Sequence, residues 1–149
     1  MGGYMNRLTV AGLLTAFLAL AACQKHEDQA HAEAPAEVKQ VEGTDLHTVI
    51  LTEKAMQRID LKTDQVRMQQ TSRSPSPQKV VPYSSLIYDP EGETWVYTSP
   101  QPRTFLRHKV EVDYIQGDMA VLQDGPPVGT TVASVGVAEL YGTEFKVGH

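Results

Sequence analysis

The side chains of this sequence that could do chemistry are few and scattered. Cys23 is the only cysteine, so an internal disulfide and a multi-cysteine metal site are both excluded. His26 and His31 stand five residues apart in the run Lys25-His26-Glu27-Asp28-Gln29-Ala30-His31-Ala32-Glu33. Imidazole and carboxylate together suit a divalent transition metal, which makes these two histidines candidate ligands. A polar, charged run pre-forms no site, and it reads equally as a solvated linker. His108 falls on the apolar side of an alternating run, where a strand histidine without a converging Ser, Cys or carboxylate has no partner for catalysis. Asp118 and Asp124 flank a short apolar segment and could hold a hard cation, though such residues commonly end strands in solvent. Asp124-Gly125-Pro126-Pro127 has the composition of a turn. With no nucleophile elbow, no phosphate-cradling glycine loop and no CxxC pair, the expectation is a protein that is not an enzyme and needs no cofactor.

The elements that would carry these residues begin with a processing segment. A polar start with Arg7, an apolar run from Leu8 to Leu20 and the small pair Ala21-Ala22 make residues 1–22 a secretory signal peptide. The apolar run is shorter than the roughly 20 residues that a permanent membrane helix needs. Leu20-Ala21-Ala22-Cys23 resembles the bacterial lipobox, which implies lipidation of Cys23 as the first residue of the mature chain. Acylation would also explain a lone thiol in an oxidising compartment, and more than one acyl chain gives stable anchoring. The expected localisation is the periplasmic face of a Gram-negative membrane. Gln24 follows the cysteine where an Asp would signal inner-membrane retention, so resemblance favours the outer membrane. The chain carries a formal charge of −5, and loss of residues 1–22 removes only Arg7 and leaves it more acidic. That balance argues against nucleic acid and anionic headgroups as partners.

Residues 23–44 read as a flexible tether, rich in Ala, Glu, Gln and His and poor in bulky apolar side chains. The folded part is expected over 45–149. Leu46–Leu51 is β-prone, Thr52 stands as an N-cap, and Ala55, Met56 and Ile59 form the apolar stripe of a short helix over Glu53–Ile59. Asp60 ends it in a left-handed conformation, and Leu61–Val66 alternates as a strand. Met68–Gln78, with Ser74-Pro75-Ser76-Pro77, reads as a loop. The centre of the chain is Val80–Tyr97, where Leu86-Ile87-Tyr88 and Trp95-Val96-Tyr97 are joined by Asp89-Pro90-Glu91-Gly92-Glu93, a turn. Trp95, on the return strand, is expected to be largely buried there. From Thr104 to Tyr114 the even positions face the core and the odd ones face water. Gln116-Gly117-Asp118 turns into Met119–Leu122, and a last strand follows over Thr130–Val137. The class is mainly β with one short helix.

Three of these stretches resemble the periplasmic adaptor subunits (membrane fusion proteins) of RND-type efflux pumps. Leu51, Thr52, Arg58, Ile59, Lys62, Thr63 and Val66 match the opening of that family, with Asp60 in place of its usual Gly. Val80–Tyr97 is similar to the segment leading into the family's membrane-proximal domain. The tail is the fullest match, with Gly117-Asp118, Ala120-Val121-Leu122, Asp124-Gly125-Pro126-Pro127, Gly129, Val132, Gly136-Val137, Glu139-Leu140, Gly142 and Glu144 in the family's places. The resemblance implies a small antiparallel β-roll or barrel, an adaptor reduced to its membrane-proximal domain. Only the short stretch Met68–Gln78 stands where an adaptor carries its lipoyl half-motif, α-hairpin and β-barrel. It further implies a lipid-anchored accessory protein that docks on an efflux pump or another envelope protein in transmembrane export. The residues leave two other readings open: a periplasmic metal or small-ligand scavenger using His26 and His31, and a degenerate adaptor remnant.

Overall fold

The computed structural model describes residues 34–146. Cys23, His26 and His31, the signal segment and the first part of the tether lie outside the described residues.

Order begins before Asp45. Strand β1 (Ala36–Gln40) pairs antiparallel with β2 (His47–Leu51), with Val38 opposite Val49, so the folded part includes much of what reads as tether. The reason is periodicity hidden in a polar composition. Ala36 and Val38 lie two apart, share one face of β1 and pack on the core, while the alternating Glu37 and Lys39 stay in water. The connection is tied by Val41 N–H to Leu46 C=O at 2.9 Å, with Gly43 at φ 76°.

Helix α1 (Glu53–Arg58) forms where the capping residues place it. Thr52 Oγ1 accepts from Ala55 N–H at 3.1 Å, Ala55 is buried, and Asp60 takes a φ of 48°. Loss of that cap in Thr52→Ala is expected to cost about 1 kcal/mol, read as a lower urea midpoint at unchanged slope. A midpoint equal to the parent's would show that the cap is not formed in solution.

Strand β3 (Lys62–Gln65) leads to β4 (Arg67–Thr71) and β5 (Ser74–Pro82), which pair as a hairpin. The prolines that suggest a loop are accommodated in a strand. On its other side β5 pairs with β10 (Met119–Asp124) only at Val80–Pro82, so Pro75 and Pro77 lie beside an edge that needs no donor. A single turn of 3-10 helix over Tyr83–Ser85 precedes the central hairpin, β6 (Ile87–Tyr88) with β7 (Thr94–Gln101), which stands as expected with Ile87 opposite Trp95.

The alternating run after Thr104 is two strands, β8 (Thr104–Lys109) and β9 (Glu111–Gln116). In β8 the odd positions Phe105 and Arg107 are buried and His108 is exposed; from Val110 on the even positions turn inward. The phase slips at Val110, where the chain passes from one sheet to the other. An inward arginine is what disguises the slip, because charge at position 107 mimics a solvent face. β11 (Thr131–Val135) then feeds helix α2 (Val137–Phe145), through Gly136 at φ 81°. The terminal run 138–145 is thus helical, with Val137, Leu140 and Glu144 on its buried face.

These elements form two antiparallel sheets, neither closed into a barrel. One runs β1-β2-β8-β7-β11-β3, with β6 also on β7; the other runs β4-β5-β10-β9. The first sheet is buried on both faces. Tyr97, Phe105, Ala133 and Val49 pack with Leu140 and Ala55 of the helices, whereas Val96 and Val132, one residue out of phase, pack with Val81, Ala120 and Leu122 of the second sheet. The second sheet curls until the turn after β4 meets β9, where Gln116 accepts from Ser72 and Arg73 stacks 4.2 Å from the Tyr114 ring centre.

Candidate functional site

A charged cluster sits where α2 lies on the first sheet. Glu144 and Arg107 are both buried, with exposures of 4% and 7%. Period two in β7 and β8 puts Tyr97 and Arg107, cross-strand neighbours, on the helix-facing side. Helical spacing from Val137 and Leu140 then brings Glu144 over them. The Arg107 Nε lies 3.0 Å from Glu144 Oε1 and 2.9 Å from Oε2, and the Tyr97 hydroxyl donates to Oε2 at 2.6 Å. His47 Nδ1, from β2, stands 3.7 Å from Oε1 and has no hydrogen-bond partner.

Arg107 is also held by rings. Its guanidinium carbon is 4.6 Å from the Trp95 ring centre and 4.8 Å from that of Phe145, which in turn lies 4.6 Å from Tyr141. Trp95 is partly buried and lies outside both core clusters, whereas Tyr97 is fully buried. The Trp95 indole N–H donates to Asp89 Oδ2 at 2.8 Å, and Asp89 Oδ1 accepts from Glu93 N–H at 2.7 Å. Glu93 pairs with Lys109.

Two groups have displaced acidities. Burial, reinforced by the hydrogen bond to Glu144, pushes the Tyr97 hydroxyl far above the usual phenol range. At Asp89 burial pushes upward, but the Trp95 indole, the N–H groups of Glu93 and Glu91 and the charge of Arg107 together hold the carboxyl below its usual range. Tyr97 thus stays protonated and Asp89 ionised at neutral pH. Glu144 engages Arg107 and Tyr97 with both of its oxygens, which ties the end of α2 to β7 and β8. Chemically the cluster is a fixed clamp for α2.

Two concavities flank the clamp. One, of about 610 Å³, opens over Trp95, Arg107, Tyr141 and Phe145, with Asp45 and Glu91 at its rim. The other, of about 560 Å³ and mainly apolar, runs between α1 and α2 over Leu51, Ala55, Ile59 and Gly142. Of the residues singled out in the sequence, His108 lies exposed on β8, away from any cluster. Asp118 and Asp124 fall near opposite ends of β10 and do not meet. Among the described residues no three His, Cys, Asp or Glu side chains are placed to hold a metal ion, and no helix is long and apolar enough to cross a membrane.

No protein-family model and no curated protein matches this chain.

Sequence reasoning passed over Arg107 and His47 and took Glu144 only as part of the tail pattern. One signal was present: Val137, Leu140 and Glu144 recur at helical spacing, which marks Glu144 as inward-facing and in need of a cation.

Proposed function

We propose that this chain is a lipid-anchored periplasmic accessory protein, related to the RND adaptor subunits, that acts by docking on an envelope protein and not by catalysis. What supports the reading is the coincidence between the residues that carry the resemblance and those that build the fold. Gly117, Gly125, Gly129 and Gly136 occupy positive-φ positions, and Val81, Ala120, Val121, Pro126, Val132, Leu140 and Glu144 are buried. A pattern kept at turn and core positions is the kind a shared architecture requires. The missing lipoyl and hairpin parts leave such a domain nothing with which to bridge to an outer-membrane channel, so its role is that of a partner to another envelope component. The outer membrane is the favoured site of anchoring, from Gln24.

Fractionation tests the anchor. With acyl chains on Cys23, the parent protein should remain with membranes through a high-salt wash, and Cys23→Ala should move to the soluble periplasmic fraction. Retention of the variant on washed membranes would end the lipoprotein reading.

A further inference from the structure

The cleft beside the clamp combines features that nothing in the clamp's own role explains. Three separate segments converge on it: Asp45-Leu46 ahead of β2, the turn Asp89–Glu93 between β6 and β7, and the last turns of α2 with Tyr141 and Phe145. We infer that this cleft is the docking surface, and that it takes a lysine- or arginine-bearing segment of a partner protein, the basic side chain entering between acidic rim and aromatic floor while apolar neighbours cover Phe145. The inference rests on the docking reading above and names the face and the partner's chemistry.

Charge complementarity carries it. Arg107 contributes no free positive charge to the cleft, because Glu144 neutralises it from beneath. Asp45 and Glu91 make no ion pair among the described residues. Asp89 is held ionised by its hydrogen bonds, and the C-terminal end of α2 adds the negative end of its dipole. The lining residues whose charge is outside an ion pair are therefore all acidic, and an incoming cation complements them.

The floor has the residue types that dominate binding at protein interfaces, Trp, Tyr, Phe and Arg. It is also fixed in advance. The Trp95 indole is pinned by Asp89, the rings of Tyr141 and Phe145 pack on each other at a tilt of 43°, and Arg107 is locked by Glu144. A side chain already held in one rotamer loses little entropy on binding. Phe145 keeps 40% of its surface in water although it lies at the centre of this arrangement, and Tyr88 on the neighbouring β6 keeps 54%. Exposed aromatics beside an acidic rim suit a basic segment with apolar flanks better than a free polyamine, which would leave them wet.

The lone tryptophan makes the cleft directly observable, since its indole N–H gives a single resonance. The ¹⁵N-labelled full chain, held in dodecyl maltoside micelles, would be titrated with acetylated, amidated Leu-Lys-Leu, with Leu-Gln-Leu and with spermidine. The expected result is a saturable shift of the Trp95 indole signal with Leu-Lys-Leu alone, with a Kd on the order of millimolar. Asp45→Asn with Glu91→Gln, two rim residues outside the clamp, should weaken it about fivefold without moving the thermal midpoint. No saturable shift, an equal response to Leu-Gln-Leu or to spermidine, or indifference to the double variant would overturn the assignment. A second arm separates this failure from that of docking itself, by placing a photo-crosslinking amino acid in cells at Tyr88, exposed beside the cleft, or at Met68, which is exposed on the second sheet. Adducts at Met68 alone would reject the cleft and spare docking, and adducts at neither would reject both.

Discussion

Glu144→Ala should destabilise the folded protein by about 3–5 kcal/mol, a large share of the roughly 5–15 kcal/mol that holds a domain of this size together. The cost comes from what is left behind. Arg107, 7% exposed, would keep its charge under α2 with no counter-ion, and the Tyr97 hydroxyl would lose its acceptor. The cation–π contacts with Trp95 and Phe145 soften the loss only in part, since each is worth about 0.5–2 kcal/mol. Urea unfolding followed by far-UV circular dichroism would measure it. The companion variant decides the cause. Glu144→Leu combined with Arg107→Met and Tyr97→Phe removes the carboxylate, the guanidinium and the hydroxyl together, so neither the charge of Arg107 nor the hydroxyl of Tyr97 is orphaned, and it should recover most of the lost stability. A single variant costing less than about 1 kcal/mol would mean that Arg107 reaches water in solution. A triple variant no better than the single would assign the loss to packing of α2 and not to the ion pair.

Much of the fold was legible because its signals are local. The cap at Thr52, the left-handed Asp60 and the turns at Gly92 and Gly117 depend on one or two residues each, and they appear where the chemistry of those residues puts them. What escaped was set by distant partners. β1 is a strand because β2 supplies its ladder and the core receives Ala36 and Val38; inside 36–40 only the two-residue spacing of that pair points to it, and a polar composition masks it. Ser74–Pro77 is strand because β4 lies beside it, and its prolines are tolerated because β10 stops short of them. The phase of β8 was misread for the same reason that the site was missed. An arginine is assigned to solvent unless its carboxylate is known, and Glu144 is 37 residues away in sequence. Buried charge is invisible to a period-two argument until both partners are placed.

The same clamp sets the alkaline limit of the fold. Tyr97 has its acidity displaced upward by burial and by the carboxylate it donates to, so the folded protein keeps this proton where an unfolded chain, with a tyrosine near pH 10, releases it. Below about pH 10 both states hold the proton and the stabilisation is fully present. Above it the unfolded state binds fewer protons than the folded one, and stability falls as pH rises, by up to about 1.4 kcal/mol per pH unit for this one group. By pH 12 the cumulative loss amounts to about 2.7 kcal/mol. Tyr97→Phe keeps the ring in place, removes the hydroxyl and cannot titrate. At pH 8 it should be less stable than the parent by about 1.5–3 kcal/mol, the value of a hydrogen bond to a charged group. Because the parent alone carries the Tyr97 proton linkage, the gap should close as pH rises, and the two stability curves should converge by about pH 12. Lysines and the other tyrosines titrate in both proteins and cancel in the difference. Curves that stay parallel from pH 9 to the alkaline end would show a Tyr97 hydroxyl that ionises freely in the folded state, and with it a Glu144 that holds α2 without this donor.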